Sequence, residues 1–312
     1  MEKVLRAKSC NCFKSVVALA LCVGGIHFSL VFILFTLFFL PLSKSLLIFA
    51  LITVFMVIPV SKNSFLAQKL SRFICKHVCS YFPITLHLED AEAFHRDQSY
   101  VFGYEPHSVF PFGIFVLLDN IGFMPISKIR FLVSSASFYI PFLGQVWTWL
   151  GFTSVAKKNL ISLLASGHSC IIVPGGNRET LFMEHGSENV FLKERRGFVR
   201  IAMEIGHPLV PVFCFGLTNT YKWWKIPGKL VQNLTRFIKI NPIIFWEMFR
   251  SPIPFKNPLY VVVSRPIHVN KNPKPTTDQV AKVHSEFLEA LQDLFEKHKA
   301  KAGCTNLELK IV

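Results

Sequence analysis

The chain has 312 residues, with 51% hydrophobic, 14% aromatic and only 17% charged residues, a formal net charge of +15 and a mean hydropathy of +0.41. This composition excludes a disordered chain, which would be poor in hydrophobic residues, and a small disulfide scaffold, because eight Cys are few for this length. The apolar excess favours contact with lipid, and the length allows one catalytic domain and a membrane element but not a many-helix transporter.

Two apolar runs near the N-terminus predict a helical membrane hairpin. Residues 16–40 are long enough to cross a hydrocarbon core of ~30 Å as a helix, whereas residues 46–60 are marginal for a full crossing. Pro41 lies between the runs and marks the turn. A cleaved signal peptide is disfavoured, because the apolar core of a signal peptide has only ~7–15 residues. Full crossing and a re-entrant hairpin are both left open.

Basic residues on both sides of the hairpin predict its orientation. Cytosolic flanks are enriched in Lys and Arg, so both termini are expected to face the cytosol. The flanking residues are Lys3, Arg6, Lys8 and Lys14 before the hairpin and Lys62, Lys69, Arg72 and Lys76 after it. We therefore predict a membrane hairpin with its cytosolic basic flank at residues 1–62. A cytosol-facing, membrane-associated catalytic domain follows at residues 63–312.

The cysteines have no spacing typical of a zinc site, and no metal is predicted. Cys75, His77 and Cys79 are close in sequence, but on a helix the imidazole points away from the two thiols. Buried thiols are the preferred interpretation. Cys10 and Cys12, beside the first apolar run, are candidates for palmitoylation.

After the hairpin, short apolar runs alternate with helical patterns, which predicts an α/β domain with a mainly parallel mixed sheet. Strands are predicted at residues 84–88, 100–104, 130–134, 170–173, 209–213 and 260–263, and helices at residues 64–81, 157–166, 197–206 and 277–301. The first of these helices is amphipathic and basic, so it either lies on an anionic membrane surface or packs as an ordinary surface helix.

Glu105 and His107 directly follow a predicted strand. Residues two apart in an extended segment face the same side, so the carboxylate and the imidazole would project together. Pro106 favours that extended conformation for Glu105. A His in this position, with a carboxylate beside it, is suited to act as a general base, and the alternative is a structural His in a turn.

The segment VPGGNRET at residues 173–180 follows another predicted strand. Gly175 and Gly176 allow the backbone to approach a ligand, and their amides could bind a phosphate or an oxyanion. Arg178 adds a guanidinium that matches phosphate geometry, and Glu179 adds a second carboxylate that could orient a base. A tight β-turn without a ligand is the alternative.

A cluster of cations comes before the predicted helix at residues 197–206. Arg195 and Arg196 would oppose the positive end of the helix dipole unless an anion such as phosphate lies there. A solvated charge run is the alternative, and Lys157 is a fainter case of the same kind. Trp223 and Trp224 suit either an interfacial aromatic anchor or a core or lid position.

In chain order, the segments YVFGYEPHS, VPGGNRET, RRGFVRIAMEIGHPLVPVFCFG, YKWWK and SPIPF resemble the type 2 diacylglycerol acyltransferase family, most closely its plant members. The resemblance covers most of the chain. It implies a glycerolipid-acyltransferase-like α/β domain in the endoplasmic reticulum membrane that transfers a fatty acyl group from acyl-CoA to diacylglycerol, which yields triacylglycerol. Acyl-CoA is then a substrate, and no cofactor is expected. Relatives that acylate monoacylglycerol or fatty alcohols keep both acceptors open as alternatives.

The resemblance also assigns individual residues. His107 matches the family's central histidine, and Glu105 stands where animal members have another histidine. The matches to the Pro-Gly-Gly-x-x-Glu and Arg-x-Gly-Phe blocks are Gly175, Gly176, Glu179, Arg196, Gly197 and Phe198. The chain departs from the family at Asn177-Arg178 and at Leu217-Thr218-Asn219, and the second departure leaves the acceptor contacts in doubt.

The wider acyltransferase group uses His-x-x-x-x-Asp, but the fifth residue after His107 is Phe112. Glu105 or Glu179 is therefore expected to orient the imidazole. We predict direct transfer, with His107 as general base and with Gly175 or Gly176 amides or Arg178 at the oxyanion. Further substrate-binding residues are expected to be Asn177, Gly197 and Phe198, with Arg195, Arg196 and Lys157 on the CoA phosphates. Ser108 is discounted as a nucleophile, because adjacent residues in an extended segment face opposite sides.

A non-catalytic scaffold of the endoplasmic reticulum or of lipid droplets has the same sequence features and remains an alternative. A nucleic-acid partner is disfavoured, because residues 1–76 around the hairpin hold nine Lys and Arg with only one acid, and the remainder has a net charge of only +7 without a concentrated basic tract. The expected partners are acyl-CoA, diacylglycerol and membrane lipid, and homo-oligomers and a second location on lipid droplets are left open. The last six residues, LELKIV, resemble tails that plant members use for retrieval to the endoplasmic reticulum.

Overall fold

The computed structural model of the protein describes residues 1–8, 11–57, 64–184, 186–225, 243–246 and 253–312. Cys10 and the predicted hairpin residues 58–62 lie outside this part. The strands are β1 (Lys3–Arg6), β2 (Thr85–Leu88), β3 (Val101–Glu105), β4 (Ile129–Val133), β5 (Thr153–Ser154), β6 (Ser169–Ile172), β7 (Ser187–Val190), β8 (Leu209–Phe215), β9 (Lys222–Lys225), β10 (Ile243–Trp246), β11 (Tyr260–Val263) and β12 (Glu308–Ile311).

Eight of these strands form one mixed sheet in the order β1-β2-β11-β8-β3-β6-β4-β5. Five of its seven pairings are parallel, and the antiparallel pairs are β1 with β2 and β11 with β8. The predicted α/β class with a mainly parallel sheet is therefore confirmed. All six predicted strands are present with bounds shifted by two residues or fewer, because each is a short apolar run that the sheet buries.

The helices are α1 (Cys12–Phe39, with a π-helical turn at Ala20–Gly24), α2 (Leu42–Val57), α3 (Phe65–Tyr81), α4 (Leu143–Trp149), α5 (Lys157–Ala165), α6 (Gly197–Ile205) and α7 (Thr277–His298). The four helices predicted after the hairpin are present. Helix α7 begins with a capping box, in which Thr276 and Gln279 each accept a hydrogen bond from the other's backbone amide.

The sheet separates two apolar layers. On one face the core includes residues of α1, α3 and α4, and on the other it includes residues of α5, α6 and α7. The hairpin helices therefore pack on one face only. A sheet whose strands are buried on both faces is the usual arrangement for parallel strands.

Helix α1 is the one helix in the described part that is long and apolar enough to cross a membrane, with a mean hydropathy of 2.5 over its best window. Its two halves differ. In the first half Ala18 and Cys22 are buried against the domain, and the Cys22 carbonyl accepts a hydrogen bond from the Trp147 indole at 2.9 Å. In the second half large apolar side chains such as Phe38 and Phe39 are exposed. The second half therefore offers the larger apolar surface to lipid.

The N-terminal basic flank contains a strand that the sequence did not predict. Lys3–Arg6 form β1, which pairs with β2 at the sheet edge. A four-residue strand with a cation at each end has too little apolar periodicity to be detected. Residues on both sides of the predicted boundary after residue 62 thus share one sheet, and that boundary stays a prediction.

Two smaller sheets complete the described part. Strand β9, which carries the two tryptophans, pairs with β10, and Trp224 is half exposed. Strand β12 pairs in parallel with β7, and the Val312 amide donates to the Val190 carbonyl at 2.9 Å. The C-terminal tail is therefore held in a sheet in this structure.

Candidate functional site

The parallel strands β8, β3 and β6 bring three loops to one edge of the sheet. Gly103 pairs with Ile172 of β6 and with Pro211 of β8, and Glu105 pairs with Phe213. The segments that follow these strands therefore meet at their carboxyl ends, which is where ligands bind in open α/β sheets. His107, the VPGGNRET turn and the turn after β8 all belong to these segments.

His107 is half-buried, and its Nδ1 lies 2.7 Å from the carbonyl oxygen of Ser108. A carbonyl only accepts hydrogen bonds, so Nδ1 carries the proton and Nε2 has a free lone pair. In the neutral imidazole this is the tautomer that a general base needs. The backbone of Ser108 has a φ of 51°, which turns its carbonyl towards the ring.

The two carboxylates that were expected to orient the imidazole have other roles in this structure. Glu179 accepts the backbone amides of His107 at 2.5 Å and of Phe191 at 3.2 Å, so it fixes the His107 backbone rather than its ring. The prediction that a carboxylate orients the imidazole ring is therefore wrong. The Ser108 carbonyl contacts the ring instead. A preceding residue in an extended segment cannot reach the ring, and the turn at Ser108 supplies the nearer acceptor.

Glu105 is fully buried at the end of β3. Burial raises its pKa well above the ordinary value, and the neighbouring Glu179 charge raises it further. The Gly175 amide and Arg195 face the carboxyl and oppose these effects only partly. Both effects favour the protonated form of Glu105, and a protonated carboxyl can donate a hydrogen bond but does not attract an imidazolium.

The two glycines of the VPGGNRET turn have separate roles. A Cβ on Gly175 would collide with the Glu179 carboxylate, so this glycine makes room for the contact that holds His107. The Gly176 amide donates to the Val173 carbonyl at 3.0 Å within the turn. The Gly176 amide therefore already has an acceptor, whereas neither carboxyl oxygen of Glu105 has a hydrogen-bond partner among the described residues. Of the three predicted oxyanion donors, the Gly175 amide and the exposed Arg178 remain.

Cations converge on the same turn. The Arg195 guanidinium donates to the Gly175 carbonyl at 3.2 Å and lies over the Phe191 ring at 4.9 Å. Burial lowers the pKa of Arg195, and the nearby Arg178 charge lowers it further. An anion between these two guanidinium groups would offset both effects. Arg196 and Gly197 are exposed at the start of α6.

Two predicted binding residues have contacts elsewhere. Lys157 forms an ion pair with Glu204 at 3.2 Å. Phe198 is buried and packs edge-on against Phe287 at 5.1 Å, so it belongs to the core. Asn177 is half-buried, and its carbonyl accepts the Thr180 hydroxyl at 2.7 Å.

Glu188 is a buried residue of the site that sequence reasoning missed. It lies in β7 and accepts a hydrogen bond from the Thr218 hydroxyl at 2.5 Å. Burial raises its pKa to about 7, with the Glu179 charge as a lesser cause and the Thr218 hydrogen bond in opposition. The sequence offered one signal for this residue, the departure from the family pattern at residues 217–219, because Thr218 donates the hydrogen bond to the Glu188 carboxyl. Ser108 also contacts this turn through the Leu217 carbonyl, at 3.5 Å.

Comparison with known proteins finds a matching family and several similar chains. The profile of the diacylglycerol acyltransferase family matches residues 35–311. The chain is similar to diacylglycerol O-acyltransferase 2 of Dictyostelium discoideum, with 34% identity over 70% of this chain and 71% of that protein. It is also similar to acyl-CoA wax alcohol acyltransferase 2 of Mus musculus, with 30% identity over 77% of this chain and 79% of that protein. A solved structure of the 1-acyl-sn-glycerophosphate acyltransferase of Thermotoga maritima aligns with 87% of this chain and 97% of that chain, with 14% identity and a TM-score of 0.45.

Proposed function

The chain belongs to the diacylglycerol acyltransferase family, and we propose that His107 is the general base with which it acylates its acceptor. The protein is an acyl-CoA-dependent O-acyltransferase that transfers a fatty acyl group to the free hydroxyl of diacylglycerol and so forms triacylglycerol. The observation that carries the role of His107 is the contact of Nδ1 with the Ser108 carbonyl, because it leaves Nε2 ready to accept a proton.

The reaction follows from that protonation state. Nε2 of His107 takes the proton of the acceptor hydroxyl while the hydroxyl oxygen attacks the thioester carbonyl carbon. The carbon–sulfur bond then breaks, and the imidazolium returns the proton to the CoA thiolate. The Ser108 carbonyl dipole at 2.7 Å stabilises the imidazolium that forms between these steps. Ser108 itself does not act as a nucleophile, since its buried hydroxyl faces the Leu217 carbonyl.

The residues around His107 fix its position and supply charge. Glu179 holds the His107 amide, and Gly175 makes room for that carboxylate. Arg178 and Arg195 converge beside the turn and would bind CoA phosphate or steady the oxyanion, as would Arg196 on the exposed side. This arrangement needs no metal or cofactor, and acyl-CoA enters as substrate.

The location of the protein follows from the same family. Its members are membrane-associated, and α1 is long and apolar enough to insert. We place the protein in the endoplasmic reticulum membrane with both termini in the cytosol and with lipid droplets as a second location. The retrieval role of the tail would require β12 to separate from β7. Homo-oligomers are compatible with these features.

One assay tests reaction and base together. Microsomes from cells without triacylglycerol synthesis of their own would carry the wild-type chain or His107→Ala. Labelled acyl-CoA would be supplied in parallel with diacylglycerol, monoacylglycerol or a fatty alcohol. We expect label in triacylglycerol from the wild type and loss of that label in the variant.

The other outcomes have definite meanings. Preferred labelling of the wax ester, the product suggested by the name of the mouse relative, would overturn the acceptor, and preferred labelling of diacylglycerol from monoacylglycerol would do the same. Membrane-inserted protein that labels no lipid would favour the scaffold. Full activity in His107→Ala would retain the enzyme and reject the base.

A further inference from the structure

A cavity of about 470 Å³ lies between the turn that follows β4, helix α4 and strand β5. Its volume is within the range of ~300–1,000 Å³ that is usual for small-molecule sites. The side chains that decide its chemistry are Ser135, Phe138, Thr148, Phe152 and Ser154. The residues that line this cavity have no part in the reaction steps proposed for His107.

The cavity lies at the same edge of the sheet as His107. Strand β4 runs parallel to β6, with Phe131 opposite Ile171, and β6 runs parallel to β3. The turn after β4 is therefore level with the loop that holds His107, about two strand spacings or ~10 Å away. Ring contacts link the two places, because Trp147 lies 5.9 Å from Phe110 of the His107 loop and 5.6 Å from Phe152 of the cavity.

The cavity is also next to the membrane hairpin. Phe142, in the loop before α4, contacts the ring of Phe28 in α1 at 5.5 Å and that of Phe55 in α2 at 5.3 Å. The Ser29 hydroxyl of α1 donates to the Pro141 carbonyl in the same loop at 2.8 Å. The hairpin therefore contacts the loop that leads into α4, and α4 lines the cavity with Thr148.

The lining of the cavity distinguishes between the two substrates. The residues that line it in the described part of the chain include aromatic rings and hydroxyls but no charged side chain. Arg130 lies next to Gly151 but is not part of the lining, and Lys157 is paired with Glu204. The phosphates of CoA would remain without partners here. Apolar walls with a few hydroxyls suit an acyl chain and an ester group, since ester oxygens accept hydrogen bonds from Ser and Thr.

We propose that this cavity binds the diacylglycerol acceptor and holds one acyl chain and its ester group. The acceptor would then lie at the sheet edge that also carries His107. The Ser135 and Ser154 hydroxyls lie 2.5 Å apart and share one hydrogen bond, which leaves a further donor for an ester carbonyl. The inference rests on the proposed function, because it assigns a subsite to one substrate of that reaction.

Thr148→Phe would test the subsite by filling the cavity. Thr148 is half-buried on α4, where a Phe side chain would replace the volume that the acyl chain needs. In microsomes, the apparent KM for diacylglycerol should rise about ten-fold, whereas the KM for acyl-CoA should stay within about two-fold. The matched control is Ser127→Phe, which fills a separate cavity of about 290 Å³ and should leave both values unchanged.

A photoreactive diazirine-bearing diacylglycerol gives a second, activity-independent measurement on the wild-type protein. Label should map to residues 135–154 and should be displaced by diacylglycerol rather than by acyl-CoA. Displacement by acyl-CoA, label elsewhere, or a higher KM for acyl-CoA in Thr148→Phe would overturn the subsite. If the wild type fails to form triacylglycerol, the proposed function fails instead, and the photolabel still reports whether the cavity binds the lipid.

Discussion

Two groups of residues near His107 differ in charge, and in the strand order the first follows β6, between β3 and β4. In the first group Glu105, Glu179, Glu188, Arg178 and Arg195 crowd around the turn after β6 and the strand β7. In the second group the cavity beside β4 and β5 is lined by aromatic rings and hydroxyls without a charge. We call these the charged side and the uncharged side. The first suits a substrate with phosphates, and the second suits a lipid.

This difference shows how one sheet edge can serve two substrates of opposite solubility. Parallel strands deliver their loops to one edge, so each substrate needs only its own neighbouring loop. The hairpin packs on the face that carries α3 and α4, which places the uncharged side next to lipid. The following predictions test whether the two sides are as separate as their charges indicate.

His107 is the proposed base for the transfer between the two substrates, so its removal should have the largest effect. His107→Ala should lower kcat about 10²- to 10⁴-fold, because the base acts in the transition state of the transfer. The KM values of both substrates should change little. His95→Ala, at an exposed histidine, is the control and should retain wild-type kcat. A loss shared by both variants would point to a folding defect.

Glu188→Gln should remove one titratable carboxyl from the charged side and so change the pH dependence of stability. The native carboxyl, with its pKa raised to about 7 from the ordinary 4.5, keeps its proton at pH values where the unfolded chain ionises. The native state then binds more protons, so stability falls as pH rises from about 4.5 to about 7. Each pKa unit corresponds to ~1.4 kcal/mol, so the wild type should lose about 3 kcal/mol across this window.

Glu188→Gln should lack that loss and be more stable than the wild type at pH 8, with little difference near pH 4.5. Denaturant unfolding of purified protein in detergent at both pH values measures the effect. Glu286→Gln, on the exposed face of α7, should follow the wild-type curve. Parallel curves for the wild type and Glu188→Gln would show that this carboxyl does not titrate near pH 7.

Gly175→Ala should disturb the charged side through sterics. The added Cβ displaces the Glu179 carboxylate, so the amides of His107 and Phe191 lose their acceptor. Each unsatisfied buried amide costs about 1–3 kcal/mol, and kcat should fall at least about ten-fold as the His107 loop loosens. In Gly24→Ala the new methyl makes only ordinary contact, so activity should be close to the wild type. Equal losses in the two variants would contradict the proposed role of Gly175.

The sequence predicted the parts of this site that local motifs encode. The six strands were recognisable as short apolar runs, and parallel pairing brings His107 and Glu179 together at their ends. The acceptor on Nδ1 was not predictable, because it depends on the left-handed backbone of Ser108. Glu188 was not predictable, because its strand is polar and has no apolar alternation that would identify it. The cavity could not be predicted because a turn, a helix and a strand come together to form it.

Arg195→Gln should have the smallest effect. It should change the KM of acyl-CoA alone, whereas Thr148→Phe should change the KM of diacylglycerol alone. The variant keeps a side chain that can donate to the Gly175 carbonyl but loses the charge that faces the CoA phosphates. The apparent KM for acyl-CoA should rise about three- to ten-fold, and the KM for diacylglycerol should not change. Because the lost interaction is partly exposed and screened by ions, the difference from the wild type should shrink as salt is raised. An effect of Arg195→Gln on the KM for diacylglycerol would mean that the charged side also binds the lipid substrate. The assignment of one substrate to each side would then be wrong.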